Sequence, residues 1–248
     1  MFELLNLEIE KSFMLGTFLI LSTTIFFLLK LIPKYFSSFF GECLSNNKSS
    51  KFHPPMIRGL GIVFPIILII SFILWGSYFN FLELIIIFLS TSVGFWDDKY
   101  ILKQKQKFLI ILIIGLFWSF SCFNFIIKDL DTLFKIIGYV FIFVFLVFFF
   151  NQIDGINGLA TITFLSSNLF IYLTGVNLIL LLPIYLCVFA YLIINLNGKI
   201  GIQGDAGSFF MGSFFAILSI KMNDWSKILI IFLVFAPVIF DVCATTLI

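Results

Sequence analysis

Asp97-Asp98, Asp154, Asp205 and Asp241 each lie at or near the end of a long apolar run. Counted from the N-terminus, these are the ends of the third, fifth, seventh and ninth runs. Odd-numbered ends emerge on one face of a bilayer, so the acids gather at one membrane surface. A carboxylate at that boundary costs desolvation energy, and its presence there points to function. Adjacent Asp97 and Asp98 also repel each other. A divalent cation would relieve the repulsion, and Mg²⁺ is typically held by one or two carboxylates together with phosphate oxygens. A carboxylate so placed can also accept a proton or orient a nucleophile. The pattern suits a hard metal ion and a soluble, anionic ligand at a membrane edge.

Three polar segments accompany these acids. Asn151-Gln152-Ile153-Asp154-Gly155-Ile156-Asn157-Gly158 follows the run Phe148-Phe149-Phe150. Its amides can donate to a base, a sugar or a phosphate, and its glycines let backbone approach a ligand. Gln203-Gly204-Asp205-Ala206-Gly207-Ser208 opens the eighth run. Small residues before a helix leave free N–H groups that suit an anion; an acid there also fits the helix dipole alone. Arg58-Gly59-Leu60-Gly61 marks a tight re-entry into the second run, where Arg58 could hold a phosphate or serve as a cytoplasmic anchor.

The elements that must position these groups are membrane helices. The chain has 248 residues, 61% hydrophobic and 11% charged, with a mean hydropathy of +1.17, which excludes an ordinary soluble domain. A span needs about 20 apolar residues. Nine spans are predicted at about residues 13–32, 59–77, 79–96, 108–127, 133–150, 159–175, 177–195, 206–220 and 226–247. They fill the chain, so residues 1–248 are expected to form one all-α, polytopic membrane domain. The last run is still open at Ile248, which reads as a domain incomplete at its C-terminus. The 37 phenylalanines are expected to be mostly lipid-facing bulk.

Ten of the fifteen basic residues fall on the acid-bearing face: Lys30, Lys34, Lys48, Lys51, Arg58, Lys99, Lys103, Lys105, Lys107 and Lys199. Basic residues favour the cytoplasmic side, which places the acids at the cytoplasm and the N-terminus outside. Cys43, Cys122, Cys187 and Cys243 show no paired spacing, so disulfides and thiolate metal sites are not expected. With His53 as the single histidine, a His-rich zinc site is excluded within this chain. The N-terminus lacks the basic region and cleavage site of a secretory signal.

In order, spacing and membrane side, these segments resemble the polyprenyl-phosphate N-acetylhexosamine-1-phosphate transferases. The resemblance covers about residues 45–248 and rests on Arg58-Gly59-Leu60-Gly61, Asp97-Asp98 with the basic loop to Lys107, Asn151 to Ala160, and Gly204 to Ser208. It implies transfer of a sugar-1-phosphate from a UDP-N-acetyl-sugar to a polyprenyl phosphate such as undecaprenyl phosphate. UMP leaves, and Mg²⁺ or Mn²⁺ is required. It implies catalytic roles for Asp97, Asp98 and Asp154, and metal ligation by Asp205 and Asp154. Substrate contacts are implied for Asn151, Asn157, Lys103, Lys105, Lys107, Arg58, Gly204 and Ser208.

The resemblance further implies a bacterial inner membrane location, a cytoplasmic active site, no nucleic-acid partner, and compatibility with a homodimer. Asn157 stands where many members carry Asp, which leans towards the O-antigen and capsule-initiating enzymes of lipopolysaccharide and surface-polymer synthesis. Ile57 and Leu60 replace a Pro and a Gly often seen before the second span. The family's cytoplasmic loop beyond the Asp241 position is not within the chain. Two rival classes fit less well. A transporter would place its ionisable groups nearer the midplane, and an intramembrane aspartyl protease would carry Gly where Ile202 stands.

Overall fold

The computed structural model describes residues 31, 35, 39–43, 56–76, 78–155, 158–173, 179–196 and 201–222. The ninth predicted span, all of the first but Leu31, Asn157 and Asp241 lie outside these residues. Seven helices stand at the other seven predicted spans: α1 Val63–Trp75, α2 Phe81–Tyr100, α3 Gln104–Cys122, α4 Leu130–Ile153, α5 Leu159–Leu173, α6 Leu182–Leu196 and α7 Gly204–Lys221. Two of them, α3 and α4, are long and apolar enough to cross a membrane by length and composition. Helix α2 has 20 residues but carries Glu83, Asp97, Asp98 and Lys99 within them.

The expectation of a purely helical chain is corrected in one place. Three short strands, β1 Gly41–Cys43, β2 Met56–Arg58 and β3 Gly201–Ile202, form a sheet in the order β1-β2-β3. The β1–β2 pair is antiparallel and the β2–β3 pair parallel, with Arg58 opposite Gly41 on one side and Ile202 on the other. The sheet ties the segment before α1 to the segment before α7, and so fixes Arg58 beside the start of α7.

Helix α7 is the centre of the described structure. Every residue from Ala206 to Ile220 is buried, and the helix packs most extensively against α2 and α4. Small residues allow this approach. A Cβ on Gly212 would lie 2.4 Å from the Val147 Cα, and one on Gly94 would lie 2.2 Å from the Asp205 carbonyl oxygen. The expectation of lipid-facing phenylalanines fails for the rings around this helix. Phe64, Phe143, Phe150, Phe164, Phe209, Phe210, Phe214 and Phe215 are fully buried. Phe164 meets Phe214 and Phe215 at centroid distances of 5.2 and 5.6 Å, edge-to-face pairs that each add about 0.5–1.5 kcal/mol beyond burial.

Helices α2 and α7 run antiparallel and are joined at both ends. At one end the Lys221 ammonium donates to Glu83 and to the Tyr78 carbonyl, both at 2.7 Å, and lies over the Tyr78 and Phe79 rings. Glu83 also completes a capping box with Asn80. The other end carries the acids. Because Gly94 packs directly on the Asp205 backbone, Gly94→Ala should force these helices apart. We expect a loss of about 1–3 kcal/mol, as for overpacked cores. Thermal unfolding of the detergent-solubilised protein would register this as a midpoint several degrees lower; an unchanged midpoint would contradict the packing.

Candidate active site

The last turn of α2 and the first turn of α7 bring Asp97, Asp98 and Asp205 together, with Arg58 from β2 and Lys107 from α3. Asp98 has a side chain with no exposure. Its two oxygens accept the backbone N–H groups of Asp205 and Ala206, each at 3.0 Å. It therefore caps the amino end of α7, where N–H groups lack helical partners and the dipole favours negative charge. The Arg58 Nε lies 3.5 Å from the same carboxylate, and a terminal nitrogen of its guanidinium lies 3.7 Å from Asp205 Oδ1.

Asp97 plays a different part. Its Oδ1 accepts the Leu102 N–H at 2.6 Å and its Oδ2 accepts from the Lys107 ammonium at 2.7 Å. The Leu102 bond holds the turn between α2 and α3, in which Ile101 adopts a left-handed φ of 53°. Lys107 also reaches Asp205 Oδ2 at 3.1 Å. Its ammonium thus bridges the Asp97 and Asp205 carboxylates. The span predicted at 108–127 begins earlier, at Gln104, because Gln106 accepts the Lys103 N–H and Asp97 neutralises Lys107 inside the first turn.

Gly204 has a φ of 67°, and a Cβ there would sit 2.3 Å from Asp98 Oδ2. Only glycine supplies both the turn and the space. The structure assigns this residue a part in seating the Asp98 carboxylate.

Asp154 follows the last residue of α4 and accepts a hydrogen bond from the Gln203 amide. Burial holds its carboxyl well above the usual carboxylate range, partly offset by the Gln203 donor. Asn151 donates to the Ser208 hydroxyl at 3.3 Å, linking α4 to α7. Lys103 and Lys105 are exposed beside the cluster. The sequence alone gives no role to Gln203 or to Thr161, whose hydroxyl donates to the Gln203 side-chain Oε1 at 3.3 Å. The signal available was a large amide inserted between Ile202 and Gly204, where it is only 1% exposed.

Four carboxylates, Asp97, Asp98, Asp154 and Asp205, are opposed here by two cations, Arg58 and Lys107. The imbalance and the oxygen donor set fit a divalent hard cation. No group of three His, Cys, Asp or Glu side chains forms a ready cage among the described residues. An Mg²⁺ would then be bound through one or two carboxylates, with retained waters and substrate phosphate oxygens completing its shell. Asp205 and Asp154 would be the ligands, and a cation beside Asp154 would draw its carboxyl back to the ionised form.

Two contiguous apolar grooves run from this end along α3 and α4. The first, about 500 Å³, is lined by Gln104, Lys105, Phe108, Leu109 and Phe148. The second, about 430 Å³, continues from Phe108 past Leu112 and Leu116 to Ile136, Ile137, Val140, Phe141, Val144 and Phe145. The groove therefore begins beside Lys105, two residues along the chain from Lys107, and follows α3 and α4 away from it.

The profile of glycosyl transferase family 4 matches residues 80–223, a range that includes Asp97, Asp98, Lys107, Asn151, Asp154, Asp205 and Ser208. A phospho-N-acetylmuramoyl-pentapeptide-transferase from Staphylococcus saprophyticus is 31% identical, over 71% of this chain and 65% of its own length. The chain thus spans just under two thirds of that relative.

Proposed function

The chain belongs to glycosyl transferase family 4, and from that premise we propose that it transfers an N-acetylhexosamine-1-phosphate from a UDP-sugar to a polyprenyl phosphate, releasing UMP. The observation that carries this reading is the meeting of Asp97, Asp98, Asp205, Arg58 and Lys107, with an apolar groove opening beside Lys105 on the helix that carries Lys107. A lipid phosphate needs such a junction: a tail channel among membrane helices and a charged head site in reach of a soluble donor. The name of the S. saprophyticus relative supports the same class of reaction.

In the proposed reaction an acceptor phosphate oxygen forms a bond to the β-phosphorus of the donor. The bond from that phosphorus to the oxygen bridging the α- and β-phosphates breaks, and UMP departs with the electron pair. Such transfers need positioning and charge compensation more than covalent help from the protein. Arg58 retains guanidinium donors outside its two ion pairs and can take a phosphate oxygen. Lys107, pinned between Asp97 and Asp205, presents a fixed positive charge. Asp97 is engaged by Lys107 and Leu102 and orients that lysine. Lys103 and Lys105 form an exposed basic rim that gathers anions. Mg²⁺ or Mn²⁺ held by Asp205 and Asp154 would supply charge neutralisation of the pyrophosphate and of the leaving UMP.

The reading extends to a nine-span topology in a bacterial inner membrane with this end in the cytoplasm, where nucleotide sugars are. Asn157 leans the donor towards a simple UDP-N-acetylhexosamine for a surface polysaccharide of the O-antigen or capsule type. The test is UMP release by the purified protein. Polyprenyl phosphate, Mg²⁺ and a panel including UDP-N-acetylglucosamine, UDP-N-acetylgalactosamine and UDP-N-acetylmuramoyl-pentapeptide are supplied. We expect release from a UDP-N-acetylhexosamine that requires lipid and falls to background with EDTA. Release from the muramoyl-pentapeptide donor alone would overturn the donor assignment. No release from any donor by the folded protein would favour a transport role for the intramembrane acids.

A further inference from the structure

We propose that Gln203 is a positioning residue for Asp154, holding one carboxylate oxygen so that the other faces the reacting groups; this rests on the transferase reading. Gln203 lies between β3 and α7 and is 1% exposed. Its Nε2 donates to Asp154 Oδ1, and its Oε1 accepts from the Thr161 hydroxyl. A carboxamide has both a donor and an acceptor end. Here the acceptor end is taken by Thr161, which orients the donor end towards Asp154. Asp154 Oδ2 takes no hydrogen bond from a described residue and is the oxygen left for substrate or cation.

The surroundings are built to keep Gln203 in place. Its carbonyl oxygen accepts the Gly61 N–H at 3.1 Å and the Gly207 N–H at 3.3 Å. A Cβ on Gly207 would lie 2.5 Å from the Gln203 Cβ, so the glycine leaves room for this side chain. Tyr191 accepts from Asn195 on the same helix. Groups from the end of α4 and the start of α5 therefore meet the side-chain amide of Gln203, while the turn before α1 and the first turn of α7 hold its backbone carbonyl. Asp154 lies at a helix end beside Gly155, where backbone alone constrains it weakly. Its direction is set by Gln203.

The test uses Gln203→Met, which keeps the volume and removes both hydrogen bonds, with Thr161→Val and Asp154→Asn. We expect Gln203→Met to lower kcat about 10–100-fold, as loss of an outer-shell partner does, with the donor KM changed less than about threefold. Thr161→Val should lower kcat by a smaller factor and add less than about twofold in the Gln203→Met background, because it acts through the amide. Thermal midpoints give a readout independent of activity. The Asp154→Asn/Gln203→Met double variant should melt no lower than the less stable single variant. Gln203→Met with kcat within twofold of wild type, or midpoint losses that simply add, would overturn the proposal. Wild-type protein lacking lipid-dependent UMP release would instead sink the transferase reading, and the midpoints would still decide the bridge.

Discussion

Asp205→Asn is expected to lower lipid-dependent UMP release by more than about 100-fold. Loss of an outer-shell partner at a metal centre already costs about 10–100-fold, and Asp205 is the proposed direct ligand. The fold should survive the change. Asp98 caps the first turn of α7 through the backbone amides of Asp205 and Ala206, so the Asp205 side chain is not needed for that cap. Asparagine matches the shape and keeps an oxygen for Lys107, now 3.1 Å away. What it removes is negative charge, and the Mg²⁺ concentration for half-maximal activity should rise at least about tenfold. A variant with wild-type turnover and unchanged Mg²⁺ dependence would remove Asp205 from the metal site.

Asp98→Ala should act in the opposite order, on stability first. It leaves two buried N–H groups without an acceptor and the nearby Arg58 without its carboxylate. Breaking a buried charged pair costs about 3–5 kcal/mol, less here because the Arg58 side chain is 37% exposed. A loss of about 2–3 kcal/mol corresponds to a midpoint lower by about 4–12 °C in a chain of this size. Asp97→Asn should shift the midpoint less, since an amide oxygen can still accept from Leu102 or Lys107, while activity falls through the loosened lysine. Differential scanning fluorimetry of the two variants compares these roles directly. Equal midpoints for both would show that the two acids do not divide the work as their hydrogen bonds indicate.

Much of this site was legible because membranes make charge expensive. Asp97 and Asp98 stood out at the end of an apolar run, and the structure brings them to Asp205, more than a hundred residues later, with Lys107 between. Asn151, Asp154 and Ser208 were also readable as polar groups between apolar helices, and the first two meet α7 or the segment before it. The small sheet was not legible. Strands of two and three residues carry no alternation to detect, so the segment at Arg58 reads only as a tight re-entry into the second run. Gln203 was visible in its motif, but its partners lie 42 and 49 positions away. The buried phenylalanines were misassigned because, in a lipid-soluble chain, hydrophobicity does not tell a ring facing lipid from one packed on α7. Helix α3 starts at Gln104, a turn ahead of the apolar run read at about 108–127, because Asp97 compensates Lys107 within the helix.

The central claim is that the β-phosphoryl group moves with its sugar onto a lipid phosphate. The most direct measurement follows that phosphorus, using a UDP-N-acetylhexosamine labelled with ³²P at the β-position, together with polyprenyl phosphate and Mg²⁺. The account predicts that label passes into the organic phase as a lipid-linked sugar diphosphate, in step with unlabelled UMP in the aqueous phase, and that Asp205→Asn abolishes both. Label remaining on a water-soluble UDP product while the sugar alone reaches the lipid would contradict it, because the bond broken would then lie between sugar and phosphate.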